Sequence, residues 1–230
     1  MKMLKTSHAA KWILRNTRVS SESLTQSIKL HLITEACPLW MSTPEQCPFP
    51  DPYWAFYWPG GQALTKFILE NPRNSEKLFL ASAISGAKAI LANDIDKNAL
   101  LATLLNYRLN RISLSNTEFS SRNFVDDAGV EELRKFFKDP EKSLILLGDM
   151  FYDSDFASTA FKWLKKLKHL TGARVLVGDP DRHPLAEQQY LDRYETKFTK
   201  RLLTEYSLPG YVTREHYGFA TAKILEIDFR

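Results

Sequence analysis

Glycine is scarce in this chain, nine in 230 residues, and none lies between Gly61 and Gly86. The sequence contains no Gly-x-Gly-x-x-Gly, no P-loop and no Gly-x-Ser-x-Gly, which removes the common nucleotide cradles and the serine nucleophile elbow. Cysteine is nearly absent too. Cys37 and Cys47 are the only two, too few for a disulfide framework and without metal-ligand spacing around them, so no metal centre is expected. The five histidines, His8, His31, His169, His183 and His216, form no pattern. No apolar run approaches the ~20 residues that cross a membrane, and no segment is repetitive or of low complexity.

Acid is missing from one region. Residues 1–21 hold Lys2, Lys5, Lys11, Arg15 and Arg18 and no Asp or Glu; Lys11, Arg15 and Arg18 fall on one helical face and Ala10, Ile13 and Leu14 on another. That composition suits a cleavable mitochondrial transit peptide, the alternative being a basic N-terminal helix that frays. The expected location is the mitochondrial matrix, and the cysteine usage fits matrix and cytosol alike. From Glu22 onward, 26 basic residues stand against 27 acidic ones. A near-neutral body argues against a nucleic-acid footprint.

What is present is enough for one domain with a full core: 44% apolar and 25% charged residues. Residues 22–60 read as a short amphipathic helix (22–36) followed by a lid. Stretch 38–59 holds six of the eleven prolines, and proline fixes φ and bars its predecessor from helix. The body is 61–230. It opens with a helix over 61–70 that Asn71-Pro72 stops. From 88 onward strands and helices alternate. Strands are expected at 88–93, 118–124, 143–148 and 173–177, and helices at 97–112, 129–138, 157–170 and 185–203. The end, 202–208 and 217–228, reads as an antiparallel pair around Pro209-Gly210. This is a doubly wound, Rossmann-like α/β sheet.

Two of the strands carry the chemistry. Ile90-Leu-Ala-Asn-Asp-Ile-Asp96 and Ile145-Leu-Leu-Gly-Asp-Met-Phe-Tyr-Asp153 are apolar runs ending in acid, as buried parallel strands do. Ligands of open α/β sheets sit at those carboxyl ends, so Asp94 and Asp149 are expected to face one crevice. Asp94 can accept two ribose hydroxyls or cap the next helix, and Asp96 is the better placed cap. Asp149 and Tyr152, a carboxylate and a phenol three residues apart, suit an amine; the alternative is a helix cap at Asp153 or Ser154 with Tyr152 packed. Tyr53-Trp-Ala-Phe-Tyr-Trp58-Pro-Gly-Gly61 is either hydrophobic cover or an electron-rich wall for a cation. Asp179-Pro-Asp-Arg182 reads as a turn on the far rim of the crevice.

Asp51-Pro-Tyr-Trp-Ala-Phe-Tyr-Trp-Pro-Gly-Gly-Gln-Ala-Leu64, Ile90–Asp96, Leu147-Gly-Asp-Met-Phe-Tyr-Asp153 and Val175-Leu-Val-Gly-Asp-Pro180 together resemble the lysine methyltransferases of the electron-transfer flavoprotein β subunit. The resemblance runs from about Ser27 to the C-terminus. It implies a seven-strand, class I, S-adenosylmethionine-dependent enzyme of mitochondria, acting as a monomer on a protein substrate, the flavoprotein β subunit. It also implies roles: Trp58 against the cofactor, Asp94 on the ribose, Asn123 near the adenine, and Asp149 and Tyr152 flanking the methyl-transfer site. One departure stands out. The family's first strand and its Gly-rich loop have no counterpart, and Lys77-Leu-Phe-Leu-Ala-Ser-Ala-Ile-Ser-Gly-Ala87 runs almost straight into the tail of the following helix. About ten residues are missing from the sheet's centre, where a lost strand leaves its neighbours' ladder groups unpaired. Leu78–Ala81 is the candidate replacement strand. The rival readings are a cofactor-deficient protein that binds the target without methylating it, and a methyltransferase for small molecules or nucleic acid.

Overall fold

The computed structural model describes residues 8–47, 49, 52–71, 84, 87–139 and 143–229. Helix α1 (His8–Asn16) leads into strands β1 (Arg18–Ser20) and β2 (Leu30–Leu32), which pair antiparallel. Three single 3-10 turns follow between Pro38 and Ala55, then helix α2 (Pro59–Glu70). The alternating part consists of β3 (Ile90–Asn93), α3 (Lys97–Leu109), β4 (Thr117–Ser120), α4 (Asp127–Leu133), β5 (Leu144–Gly148), α5 (Ser154–Thr171) and β6 (Arg174–Asp179). Two short helices, α6 (His183–Ala186) and α7 (Gln188–Arg193), precede β7 (Phe198–Ser207), α8 (Gly210–Glu215) and β8 (Thr221–Phe229).

Local chemistry fixes the helix starts. Asp96 Oδ1 accepts the Asn98 N–H at 2.8 Å and Asp153 Oδ1 accepts the Phe156 N–H at 2.8 Å, each satisfying a donor that the first turn leaves open. Helix α5 ends at Gly172 with φ +66°, the left-handed closure that glycine adopts cheaply. Its inner face, Ala157, Ala160, Phe161, Leu164 and Leu167, is buried on Val175 and Val177 of β6.

The sheet is in two pieces. Strands β5, β6, β8 and β7 lie in that order, with β5 parallel to β6 and the other pairs antiparallel. Strands β3 and β4 form a separate parallel pair. Among the described residues no strand joins β3 to β5. The open edge shows in the burial: β6 is buried from Val175 to Asp179, whereas Leu146 and Leu147 of β5 are half-buried and Gly148 is exposed. A cavity of about 400 Å³ runs between the two pieces, lined by Ile90 and Leu91 on one side and Leu144 to Gly148 on the other. A second, of about 290 Å³, lies on the opposite face of the β5 edge, against Gly61, Leu64 and Asn106. The break falls where the sequence lacks its central strand. The candidate replacement, Leu78–Ala81, lies outside the described residues.

Two expectations are corrected. Residues 22–36 are not a helix. The Ser23 hydroxyl accepts the Thr25 N–H, the Leu24 N–H goes to Gln62 Oε1, and the side-chain amides of Asn106 and Asn110 accept the His31 and Lys29 N–H groups. Those partners hold the segment extended along α2 and α3. The long helix over 185–203 is replaced by two short ones and a ten-residue strand. Tyr194, buried, anchors the break by donating its hydroxyl to the Pro184 carbonyl at 3.0 Å, and β7 covers the free edge of β8. Residues 8–20 pack on the body. Ile13 is wholly buried, with Ala10 beside it, against Ala102 and Leu105 of α3 and Phe49.

Candidate active site

Asp149 sits at the centre. It follows β5 with φ +55°, a left-handed conformation uncommon for a residue with a side chain and frequent at functional sites. Asp181 and Tyr217, also at positive φ, lie in the segments on either side of it. The turn aims the Asp149 carboxylate at the first turn of α2, where Oδ2 accepts the Gly61 N–H at 3.0 Å. Helix N-termini carry free N–H groups and positive potential and so favour an anion.

The approach needs glycine. A Cβ on Gly60 would lie 2.0 Å from the Gly178 carbonyl oxygen, one on Gly178 2.1 Å from the Gly60 oxygen, and one on Gly148 2.9 Å from the Gly61 Cα. Helix α2 therefore rests directly on the backbones of β5 and β6. Trp58, the residue before it, carries the aromatic wall. Its Nε1 donates to the Tyr53 carbonyl at 2.9 Å, and its ring lies 5.1 Å from His216 and stacks with Tyr217 at 6.5 Å.

Arg182 completes the site. From the turn after β6 its Nη2 and Nε reach Asp149 Oδ1 at 3.0 and 3.3 Å. Its guanidinium lies 5.6 Å from the Trp58 ring centre and 5.3 Å from that of Phe219, within cation–π range. Both partners are enclosed, with side chains 13% and 5% exposed. Asp179 Oδ1 accepts the Arg182 N–H at 2.7 Å, which pins the turn, while Asp179 Oδ2 is buried without a partner. Burial pushes the Asp179 carboxyl up to about 7. Burial also raises Asp149, opposed by Arg182 and by the Gly61 and Gly60 N–H groups. His216 is pushed down to about 4, by burial first and by the Arg182 charge second.

The expected residues fall into two groups. Trp58 and Asp149 meet here, and Tyr152 stands at the rim, 57% exposed, its ring 6.4 Å from that of Tyr53. Asp94 lines the cavity between the sheet pieces with Phe124, Val125, Gly148 and Met150. It accepts the Asp96 N–H at 2.9 Å, and burial raises its carboxyl. Asn123 is exposed and turns its Oδ1 to the Val125 N–H; its neighbours, not its own side chain, line the cavity. This set fits the nucleoside half of a cofactor: an acceptor for hydroxyls at a strand end and apolar faces for a base. Arg182 was expected only in the rim turn, and His216 as packing with a substrate groove as the alternative; neither was named as a site residue. An arginine behind a Pro-Asp turn carries no sign that it folds back onto an aspartate 33 positions earlier. Among the described residues no group of His, Cys, Asp and Glu could hold a metal, and no helix is long and apolar enough to cross a membrane.

No protein-family model matches the chain. An electron transfer flavoprotein beta subunit lysine methyltransferase homolog from Caenorhabditis elegans is 58% identical over 236 residues, 96% of this chain and 97% of its own length. That alignment exceeds the 230 residues of this chain, so the relative carries residues that this chain lacks. The electron transfer flavoprotein beta subunit lysine methyltransferases of Danio rerio and Homo sapiens are 37% and 38% identical over 93% and 91% of this chain, and 81% and 78% of their own lengths. A methyltransferase crystallised with SAH matches in fold, with TM-score 0.52 at 12% identity. The match covers 76% of this chain, which spans 50% of that structure's length.

Proposed function

The chain belongs to the electron transfer flavoprotein beta subunit lysine methyltransferase family, and from that premise we propose that it methylates lysine side chains of the electron transfer flavoprotein β subunit, using S-adenosylmethionine, in the mitochondrial matrix. The observation that carries the reading is the convergence of Asp149, Trp58 and Arg182 at the carboxyl end of the sheet, beside the cavity that Asp94 lines. When bound, S-adenosylmethionine supplies a methyl on a sulfonium sulfur that a neutral amine can take.

The chain's own residues do the rest. Asp94 would accept the ribose hydroxyls, with Phe124 and Val125 beside the base. Trp58 and Phe219 supply the aromatic faces beside Arg182 against which the amine would sit. Asp149, held rigid by the helix α2 N–H groups and by Arg182, accepts a hydrogen bond from the amine and sets its direction. The Tyr152 phenol at the rim is the second polar contact. Such positioning is worth orders of magnitude in rate, since it replaces a bimolecular encounter. The acid-free, basic stretch 1–21 supports the matrix location.

The test is transfer of labelled methyl from S-adenosylmethionine into purified flavoprotein β subunit, with RNA and metabolite extracts in parallel. Label in lysines of the β subunit is expected. Label in RNA or a metabolite alone would sink the reading. A second reading, a cofactor-deficient target binder, is favoured by the break between β3 and β5. Calorimetry of S-adenosylmethionine on this chain, beside a version with a Gly-rich strand restored, separates the two. Binding only by the restored version selects the binder.

A further inference from the structure

A methyl acceptor must be a neutral amine, and lysine's reference pKa of ~10.4 makes it an ammonium in neutral water. A lone carboxylate at the acceptor site would work against the reaction, because an anion holds an ammonium and raises its pKa. Asp149 is not alone. Its Oδ1 is taken by Arg182 at 3.0 Å, in a pair that is nearly enclosed.

The remaining charges around the pocket are also accounted for. Asp181, in the turn after β6, is paired with Lys223 of β8. Lys200 of β7 donates to the Leu185 carbonyl at 2.6 Å. Asp179, at the end of β6, is buried and shifted towards its neutral form. From α8 come Glu215, raised by burial, and His216, kept neutral. The rest of the wall is aromatic: Trp58, Phe219 and Tyr217.

We propose that Arg182 is the residue that makes the pocket accept lysine as a neutral amine: clamped to Asp149 and stacked between Trp58 and Phe219, its guanidinium stays in place and leaves no uncompensated negative charge to hold an ammonium. A guanidinium does not give up its proton in proteins, so its charge is permanent over the working pH range. The ammonium leaves its proton in bulk water on entry, and a fixed cation nearby keeps that proton from returning, as at other lysines set beside a cationic group. Asp149 is then an acceptor for an amine N–H and not a counter-ion. The inference rests on the proposed lysine methylation and deepens it.

His216 is an internal probe of the same field, since its ring lies 5.1 Å from that of Trp58 and its protonation is opposed by burial first and by the Arg182 charge second. The experiment is an NMR titration of His216 in the free chain, in wild type, Arg182→Gln and Arg182→Lys, followed by pH profiles of kcat for methyl transfer at saturating substrate. The His216 pKa should rise in Arg182→Gln and stay low in Arg182→Lys. The acid limb of kcat, which reports the bound amine, should move up by about one pH unit or more in Arg182→Gln, with activity recovering at high pH. An unmoved His216, or an activity loss by the same factor at every pH, would overturn the proposal. If Arg182→Gln does not fold, the double substitution Arg182→Gln with Asp149→Asn keeps two amides in place of the pair and answers the titration. If wild type transfers no methyl to protein while His216 responds as expected, the function reading has failed and the electrostatic role of Arg182 stands.

Discussion

The two pieces of the sheet are built to different standards. The four-stranded piece is tied together by backbone contact: α2 lies on Gly148 and Gly178, and Asp149 joins the helix N-terminus to Arg182. Among the described residues the β3–β4 pair has no such tie to β5, and an apolar cavity lies between them. The first piece holds Asp149, the proposed amine contact, and the second Asp94, the proposed nucleoside contact. On the proposed reading, positioning of the acceptor belongs to the four-stranded piece, and cofactor affinity to the joint between the two. Substitutions in the first unit should register in stability as well as activity, and those in the second in binding alone.

The largest effect is expected at the helix–sheet contact. Gly60→Ala sets a methyl against the Gly178 carbonyl, a backbone atom that cannot swing aside. The loss should be on the order of 4 kcal/mol or more, read as collapse of the thermal transition. The control is Gly61→Ala, whose Cβ meets only the Tyr57 ring at 3.9 Å; a normal transition for both would break the comparison. Next, Asp149→Ala leaves Arg182 enclosed without its carboxylate, which costs about 3 kcal/mol or roughly 6–12 °C in Tm at this size. Transfer should fall by about 10² or more. Normal stability with normal turnover would remove Asp149 from the site.

Asp94→Ala should do the opposite. Asp94 follows β3 and, among the described residues, its carboxylate accepts a hydrogen bond only from the Asp96 N–H two residues on, so Tm should hold while S-adenosylmethionine affinity drops about tenfold, near 1.4 kcal/mol. A fall in Tm with unchanged affinity would reverse its assignment. The smallest effect concerns Asp179. A carboxyl raised on folding, here to about 7 from 3.8, favours the native state below the lower value, and that contribution is lost as pH rises through the upper one. Asp179→Asn, which keeps an acceptor for the Arg182 N–H, should raise Tm by roughly 2–4 °C at pH 8, for ~1 kcal/mol recovered. The gain should be smaller at pH 5, and melting curves showing one shift at both pH values would refute the coupling.

Legibility in the sequence followed the same division. The apolar runs ending at Asp94 and Asp149 read as strands because buried parallel strands need no polar face, and both are strands. The gap in the Gly-rich motif was legible in the sequence, and among the described residues no strand joins β3 to β5. Residues 198–207 misled because Lys200, Arg201 and Glu205 are as common on helices as on an edge strand; only the waiting edge of β8 decides between them. The segment 22–36 misled because its apolar spacing is helical, whereas its N–H groups are claimed by Gln62, Asn106 and Asn110, far along the chain. Arg182 was hidden for the same reason. Its meaning lies in Asp149, Trp58 and Phe219, contributed by three other segments.

The glycines under helix α2 would leave a mark in an experiment that never looks at structure. In a library of all single substitutions scored for folded protein, positions 60, 148 and 178 should be empty columns, while position 61, between two of them in space, should accept alanine. Three blanks scattered over more than a hundred residues of sequence, with a tolerant neighbour as reference, would trace the line where one helix lies on two strands. Because Gly60 and Gly178 each exclude a side chain on the other, no stepwise change at either position relieves the constraint. That contact can be inherited or lost, but not gradually remodelled.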